Sequence, residues 1–478
     1  MGEIQEINPI TRVEGHGKIS IHLDDDKKVE DARFHVTEFR AFEKFVQGRV
    51  LWEMPEMTAR ICGICPVSHE LAAAKACDDL VGAEVPKSAH KIRELLHMAQ
   101  ILQSHSLSFF YLSSPDLIMG FDASPEERNI FGLLKENEEL ADRGIALRSF
   151  GQTLIQSLGG KKVHPELAVP GGVNQNMIRE KGEEFLGKID DLKTYLLDTI
   201  DLMYDIYENI ELDAEEFASH ETGYMGLVDE DGQLEFYDGN LRLVDSEGTT
   251  LTEFDPKEYD EVIGERSQNW SYMKFPYYKK LGFEDGVYRV GPLARLNLID
   301  GISTELAHQA WEHYKEIGTS KIKKGPLFYH LARLIETLHT VEKIEELLQD
   351  EDIYTGEINV PTQARESRGI GVIEAPRGTL IHDYNSDKNG IIIDANFIVA
   401  TGHNNAAINR SVKSVAEEYI DGSHEEEIPE GILNRLESVV RCYDPCLSCS
   451  THAVGNMPLK VQLFSEGGNL LDEKSKDY

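Results

Sequence analysis

Two C-x-x-C pairs stand at opposite ends of this chain, and nearly its whole length lies between them. The first is in Arg60-Ile61-Cys62-Gly63-Ile64-Cys65-Pro66-Val67-Ser68-His69, the second in Asp444-Pro445-Cys446-Leu447-Ser448-Cys449-Ser450-Thr451-His452. Two residues between cysteines let both sulfurs turn toward one ion, so each pair is a bidentate clip. Four thiolates are a soft ligand set that suits zinc, nickel, copper(I) or iron–sulfur. As isolated motifs, the pairs fit a structural zinc site as well as a catalytic one. Zinc ribbons, however, keep their pairs close in sequence. A site joining both ends of a 478-residue chain needs the complete fold to assemble it, which favours a buried catalytic metal.

The flanking residues narrow the choice. R-x-C-G-x-C-x-x-x-H with D-P-C-x-x-C-x-x-H resembles the large, catalytic subunit of nickel–iron hydrogenases, and the resemblance runs through most of the chain. It implies that Cys62 and Cys446 are terminal nickel ligands. Cys65 and Cys449 would bridge nickel to an iron carrying cyanide and carbon monoxide. Arg12-Val13-Glu14-Gly15-His16, by itself an ordinary charged loop, matches a segment whose Glu lies beside the nickel. Glu374-Ala375-Pro376-Arg377-Gly378 matches a loop whose Arg hangs over the active site, and Asp116 and Asp444 match acids that pair with that arginine. Glu43 and His452 match positions that hold a separate magnesium or iron ion, with a backbone carbonyl near Phe397 or Ile398 completing it. Ala41 stands where the family often has Gly. His164-Pro165 through Pro170-Gly171-Gly172 resembles a further loop of the family.

This resemblance implies heterolytic splitting of dihydrogen. Cys446 is the candidate first base and Glu14 the proton relay, since a carboxylate exchanges protons within a modest pKa range. Arg377 stays charged, so its implied role is to donate hydrogen bonds to the iron's diatomic ligands. Electrons must leave, yet the chain has no third C-x-x-C and no ferredoxin-type cysteine run. Gly369-x-Gly371 lacks the third glycine of a dinucleotide loop, and Pro376 interrupts the helix that should follow. An iron–sulfur small subunit is therefore required. The resemblance is strongest to the cytoplasmic, NAD(P)-linked bidirectional type, which implies diaphorase-type flavin and iron–sulfur subunits. The alternatives are coupling to ferredoxin, heterodisulfide reductase or coenzyme F420, or a non-catalytic dihydrogen sensor. In the family a dedicated protease removes a tail after the motif's His. Residues 453–478 match such a tail, so the chain is expected to be either an unprocessed precursor, with its two clips poorly closed around nickel, or a variant that keeps the tail.

Composition excludes several classes. With 85 acidic and 48 basic residues the net charge is −37, which disfavours nucleic acid and anionic membrane. No apolar run follows Met1, and no stretch approaches a membrane span. Six cysteines in so long a chain make no disulfide framework, so a cytoplasmic location is expected.

Periodicity predicts a mainly α fold with small β parts, a helical-bundle body behind an N-terminal β hairpin, and the resemblance implies that this body is of the nickel–iron hydrogenase large-subunit type. Ile19, Ile21 and Leu23 alternate before Asp24-Asp25-Asp26, and Phe34 and Val36 resume the pattern. Helices are predicted at about 70–80, 86–111, 182–210 and 327–348. The second ends in Ser113-Ser114-Pro115-Asp116-Leu117, with Asp116 in position to cap. Its His90, His97 and His105 read as ordinary surface or core residues, and Cys77 as buried filler. Residues 224–259 read as a small β insert and 391–400 as a buried strand or strand pair. The organisation is one catalytic body over 1–452: a β region (1–60), a helical part (61–223), the insert, and a helical part with the second clip (260–452). The tail, 453–478, has hairpin patterning around Glu466-Gly467-Gly468-Asn469.

Overall fold

The alternating N-terminal residues pair as β1 (Ile4–Ile7), β2 (Gly17–Leu23) and β3 (Val29–Val36), an antiparallel sheet in that order. Ile19, Ile21 and Phe34 are buried, as period-two patterning requires of one covered face. The structure is a computed structural model describing residues 4–210, 212–420, 428–453, 459–465 and 470–476.

The helical body begins with α1 (Pro66–Val81) and α2 (Lys87–Ser106). Proline at the first position of α1 forfeits only an N–H with no helical partner. Gly82, at φ 62°, closes that helix in the left-handed conformation. The predicted second helix does not stop near Tyr111. It passes through a π-helical stretch, Leu107–Ser113, into a final turn, Ser114–Met119. Asp116 lies inside that turn and is not its cap, because its carboxylate is taken up by arginines. The sequence reading lacks α3 (Glu138–Gly159), which packs on α2 and buries Leu140, Leu147, Leu154 and Leu158. The predicted helix at 182–210 is two: Arg179–Leu186 and α4 (Ile189–Asn209). The break falls at Gly187, a poor helix former.

The β insert is larger than predicted. Strands β4 (Gly223–Val228), β5 (Asn240–Val244) and β6 (Thr250–Phe254) run antiparallel. A hairpin of β7 (Ile263–Ser267) and β8 (Lys274–Tyr278) follows, and β9 (Tyr288–Arg289) lies parallel to β4. The strand texture thus continues past Tyr259, carried by the β-favouring run Phe275-Pro276-Tyr277-Tyr278.

Next come α5 (Phe328–Leu348) and an antiparallel sheet of β10 (Ser367–Ala375), β11 (Gly378–Ser386) and β12 (Ile392–Ile398). Strand β10 lies directly on α1. A Cβ at Gly369 or Gly371 would come within 2.2 Å of Ala76 O or 2.1 Å of Ala72 O. The Gly-x-Gly spacing serves this helix–strand approach. It fixes Pro376 and Arg377, the turn between β10 and β11, relative to the first clip on α1. The body closes with α6 (Ala400–Tyr419) and α7 (Glu430–Tyr443). Beyond it, β13 (Leu459–Phe464) and β14 (Leu470–Lys476) pair antiparallel. The turn expected at 466–469 lies outside the described residues. Among the described residues no helix is long and apolar enough to cross a membrane.

Candidate metal centre

The first clip opens α1. Cys62 Sγ accepts hydrogen bonds from the Ile64 and Cys65 amides at 3.2 and 3.4 Å, a local turn that aims both sulfurs the same way. Ile64 O in turn accepts from Gln100 and Gln103 of α2 at 2.9 and 2.7 Å. The second clip follows α7. Asp444 ends that helix in the left-handed region, φ 49°, which Asp tolerates better than most residues. The chain then doubles back through Pro445. Cys446 N donates to Thr401 Oγ1 at 2.8 Å, and Leu447 N to Glu14 O at 3.1 Å. Gly15, at φ 83°, lies against Leu447, where a Cβ would come within 2.8 Å of Leu447 Cβ. Only glycine allows this contact.

The four sulfurs lie within 4.8 Å of one another, all buried. Cys446 Sγ is 3.3 Å from Cys62 Sγ and 2.7 Å from Cys449 Sγ, and Cys65 Sγ is 3.3 Å from Cys449 Sγ. The two clips, expected to be poorly closed in an unprocessed precursor, lie close together here. The 446–452 turn is anchored from the N-terminal side: Arg40 bonds Thr451 Oγ1 at 2.8 Å and Ser448 O at 2.7 Å, and also reaches Ile61 O.

The electrostatics suit a soft cation. Hydrogen bonds from Cys446, Cys449 and Cys65, helped by the nearby Arg377 charge, hold the Cys62 thiol well below its ordinary range. Burial pushes Cys446 and Cys449 well above theirs. Arg377 is almost fully buried. Against that burial, Asp444 and the sulfurs keep its guanidinium charged. Its Nε donates to Asp444 O at 2.7 Å and its terminal nitrogens reach Asp444 Oδ1 and Ser104 Oγ at 3.2 and 3.4 Å. A small cavity of about 20 Å³ lies beside Cys65, Cys446 and Cys449, under Arg377, with Leu380, Val399 and Ala400 as an apolar wall. Four soft donors, a fixed cation and an adjoining small cavity fit a nickel–iron pair.

Glu14 lies against the second clip. Its Oε2 is 3.1 Å from Cys446 Sγ and accepts from Ser448 N at 3.0 Å, while Oε1 takes the Ser448 hydroxyl.

Asp116 is elsewhere. Among the described residues its ion pairs run to Arg441 at 2.9 Å, to Arg128 at 3.4 Å and to Arg12, rather than to Arg377. The expected pairing holds for Asp444 alone. Asp116 instead ties Arg12, two residues before Glu14, to α7. Burial opposes its charge, yet these arginines hold its carboxyl below the usual range.

Glu43 and His452 meet at 3.0 Å. Burial opposes charge on Glu43, but His452, Lys274 and the Phe397 amide keep its carboxyl lowered. The Phe397 N–H, not a carbonyl, faces Glu43, at 3.2 Å, and Lys274 Nζ stands 3.9 Å away. These two side chains alone do not make a three-donor set. Ala41 adopts φ 49°, a conformation glycine takes without cost, which accounts for the glycine common at this position.

Three contributors carry no role in the sequence reading. Ser448 and Thr401 brace the second clip, and His69 Nε2 lies 3.2 Å from Cys449 Sγ. Burial lowers the His69 imidazole to about 4. Its place four residues after Cys65 on a helix was the available signal, since i and i+4 share a face. The His164–Gly172 loop is tied to α1: Glu70 Oε1 accepts from Leu167 N and Ala168 N, and Asp78 from Gly171 N.

A family model described as nickel-dependent hydrogenase matches residues 40–128 and 210–452, and a HoxL-like model matches 6–39. The chain is 45% identical to the NAD-reducing hydrogenase HoxS subunit beta of Cupriavidus necator, over 98% of this chain and 99% of that one. The chain belongs to the nickel-dependent hydrogenase family. This hydrogenase is also 42% identical to a chain of the F420-non-reducing hydrogenase of Methanothermobacter thermautotrophicus, over 97% and 98% of the two chains. A crystal structure of an NAD+-reducing [NiFe]-hydrogenase in the H2-reduced state superposes with a TM-score of 0.91. It shares 45% identity and covers 94% of this hydrogenase and 99% of that chain.

Proposed function

We propose that this hydrogenase subunit oxidises dihydrogen reversibly at a nickel–iron centre held by Cys62, Cys65, Cys446 and Cys449, with NAD(P) as final acceptor. The observation that carries the reading is the convergence of four buried sulfurs beneath a buried arginine, with a carboxylate touching one of them. By the resemblance, Cys65 and Cys449 would bridge the two metals and Cys62 and Cys446 would be terminal; Cys65, Cys446 and Cys449 line the cavity. A centre bound there, with cyanide and carbon monoxide on its iron, supplies the electron-poor metals that take the electrons of dihydrogen.

The chain's own residues handle the proton. Cys446 Sγ accepts it, and Glu14 Oε2, at 3.1 Å, receives it from the sulfur. Two hydrogen bonds from Ser448 hold Glu14 in reach. Arg377, fixed by Asp444, donates into the cavity and keeps its charge throughout. Glu43 and His452 hold the second, hard cation, which needs water or carbonyl donors beyond these two side chains. NAD(P) coupling rests on the names of the relatives at 45% identity. It calls for diaphorase-type subunits and an iron–sulfur small subunit in one cytoplasmic complex. The catalytic body is 1–452, and a maturation protease removes 453–478.

The test is metal analysis, infrared spectroscopy and dihydrogen-driven NAD(P) reduction with the purified complex. Nickel, iron, bound carbon monoxide and cyanide bands, and NAD(P)H formation are expected. A complex without nickel, or one reducing only F420 or a heterodisulfide, overturns the reading. Intact mass decides the tail: a chain ending at His452 is expected, and full-length mass with full activity rejects cleavage.

A further inference from the structure

A buried chain of polar groups leads from the metal centre into the core. Cys449 Sγ is 3.2 Å from His69 Nε2, His69 Nδ1 is 3.1 Å from His382 Nε2, and His382 Nδ1 is 2.7 Å from the Tyr384 hydroxyl. His69 is 1% exposed, and His382 and Tyr384 are 0% exposed. Among the described residues the series ends at the buried Tyr384 hydroxyl. It spans two elements, from the start of α1 to the middle of β11, and Phe397 of β12 packs on the His382 ring at 4.6 Å.

The order of donors is forced at the sulfur. A metal-held thiolate only accepts, so His69 must carry its proton on Nε2. A neutral imidazole has one N–H and one lone pair, which leaves His69 Nδ1 bare and in need of a donor. His382 Nε2 is in position to donate, which requires that ring also to carry its proton on Nε2. His382 Nδ1 is then bare, and the Tyr384 hydroxyl fills it. Without that hydroxyl, His382 is free to move its proton to Nδ1. Two lone pairs would then face each other, and His69 would relieve them by moving its own proton to Nδ1. A lone pair would then face the sulfur.

We propose that His382 and Tyr384 are positioning residues that fix His69 as the Nε2–H tautomer, so that the Cys449 thiolate always receives a hydrogen bond. A hydrogen bond to a metal-held sulfur lowers the charge it gives the metal and raises the potential of the centre. The inference rests on the nickel–iron reading above.

The experiment uses the complete complex, with Tyr384→Phe, His382→Leu and, as a control of equal burial, Tyr224→Phe, whose hydroxyl bonds Lys323 O. Nickel and iron content is measured first, then the carbon monoxide band of the iron and the midpoint potential. Tyr384→Phe is expected to keep its metals, shift the band to lower wavenumber and lower the potential. His382→Leu shifts both the same way, and Tyr224→Phe shifts neither. The double variant Tyr384→Phe with His382→Gln should return toward wild type, because the amide offers an N–H without help. Wild-type bands and potential in metal-loaded Tyr384→Phe or His382→Leu overturn the proposal. So does loss of metal from both while Tyr224→Phe keeps it, which marks a purely structural role. A wild-type complex without nickel is a separate result, since it removes the proposed function itself.

Discussion

The two clips are built from different material. Cys62 and Cys65 are shaped by a local turn at the start of α1 and braced by Gln100 and Gln103 of α2, the next helix in the chain. Cys446 and Cys449 are held from afar. Thr401 is 45 residues away, Arg40 408 and Glu14 434 from the residues they bond. The first clip thus takes most of its bracing from its own turn and the next helix. The second exists only once the N-terminal arm, α6 and α7 have docked, because each brace must close a long loop first. Glu14, the proposed proton relay, bonds to the second clip from the N-terminal arm, so the proposed proton path is assembled from distant parts of the fold.

Substitutions should separate the clips in order of effect. Cys446→Ser and Cys62→Ser should each abolish nickel binding and dihydrogen turnover, since neither clip alone provides four donors. Full nickel and unchanged activity in either variant would break the comparison at its root. Glu14→Gln should lower turnover by about 10²–10⁴-fold, the usual worth of a positioned acid–base group, with nickel and iron near wild type. The amide still accepts from Ser448, so metal loss there would show that Glu14 serves the clip rather than the proton.

Smaller changes sharpen the contrast. Arg40→Ala removes charged hydrogen bonds to Thr451, Ser448 and Ile61 and should cost about 2–3 kcal/mol. Gln100→Ala leaves Gln103 on the same carbonyl and should cost about 1 kcal/mol. Thermal melting and the rate of nickel loss to a chelator measure both, and equal sensitivity would erase the distinction between local and distant bracing.

The weakest effect is on acid stability. Asp116 has a folded value below its unfolded 3.8. As pH falls, the unfolded chain takes up this proton first. The contribution is therefore fully present above 3.8 and is lost as pH falls through the lower folded value. Asp116→Asn should lower stability at neutral pH and flatten this acid limb. An unchanged limb would mean that Asp116 does not hold the Glu14 arm.

The sequence by itself determined the ligand set, because thiolate softness and two-residue spacing are properties of the chain alone. It also determined the N-terminal hairpin and the long helices, whose periodicity is local. It did not determine where those helices stop or bend. Tyr111 lies within a π-helical stretch and Gly187 stands at a break, both set by what packs alongside. Gly369 and Gly371 look like half a nucleotide loop until α1 is seen against β10. Asp116 and Asp444 are both acids matched to an arginine by resemblance, and only the fold assigned Arg377 to one and three other arginines to the other. His69 carried an i+4 signal, but His382 and Tyr384 carried none, since they lie 313 residues or more further along. A ligand's identity is written in its side chain. Its partners are written in distances between segments that have no sequence relation, and those exist only after the chain has folded.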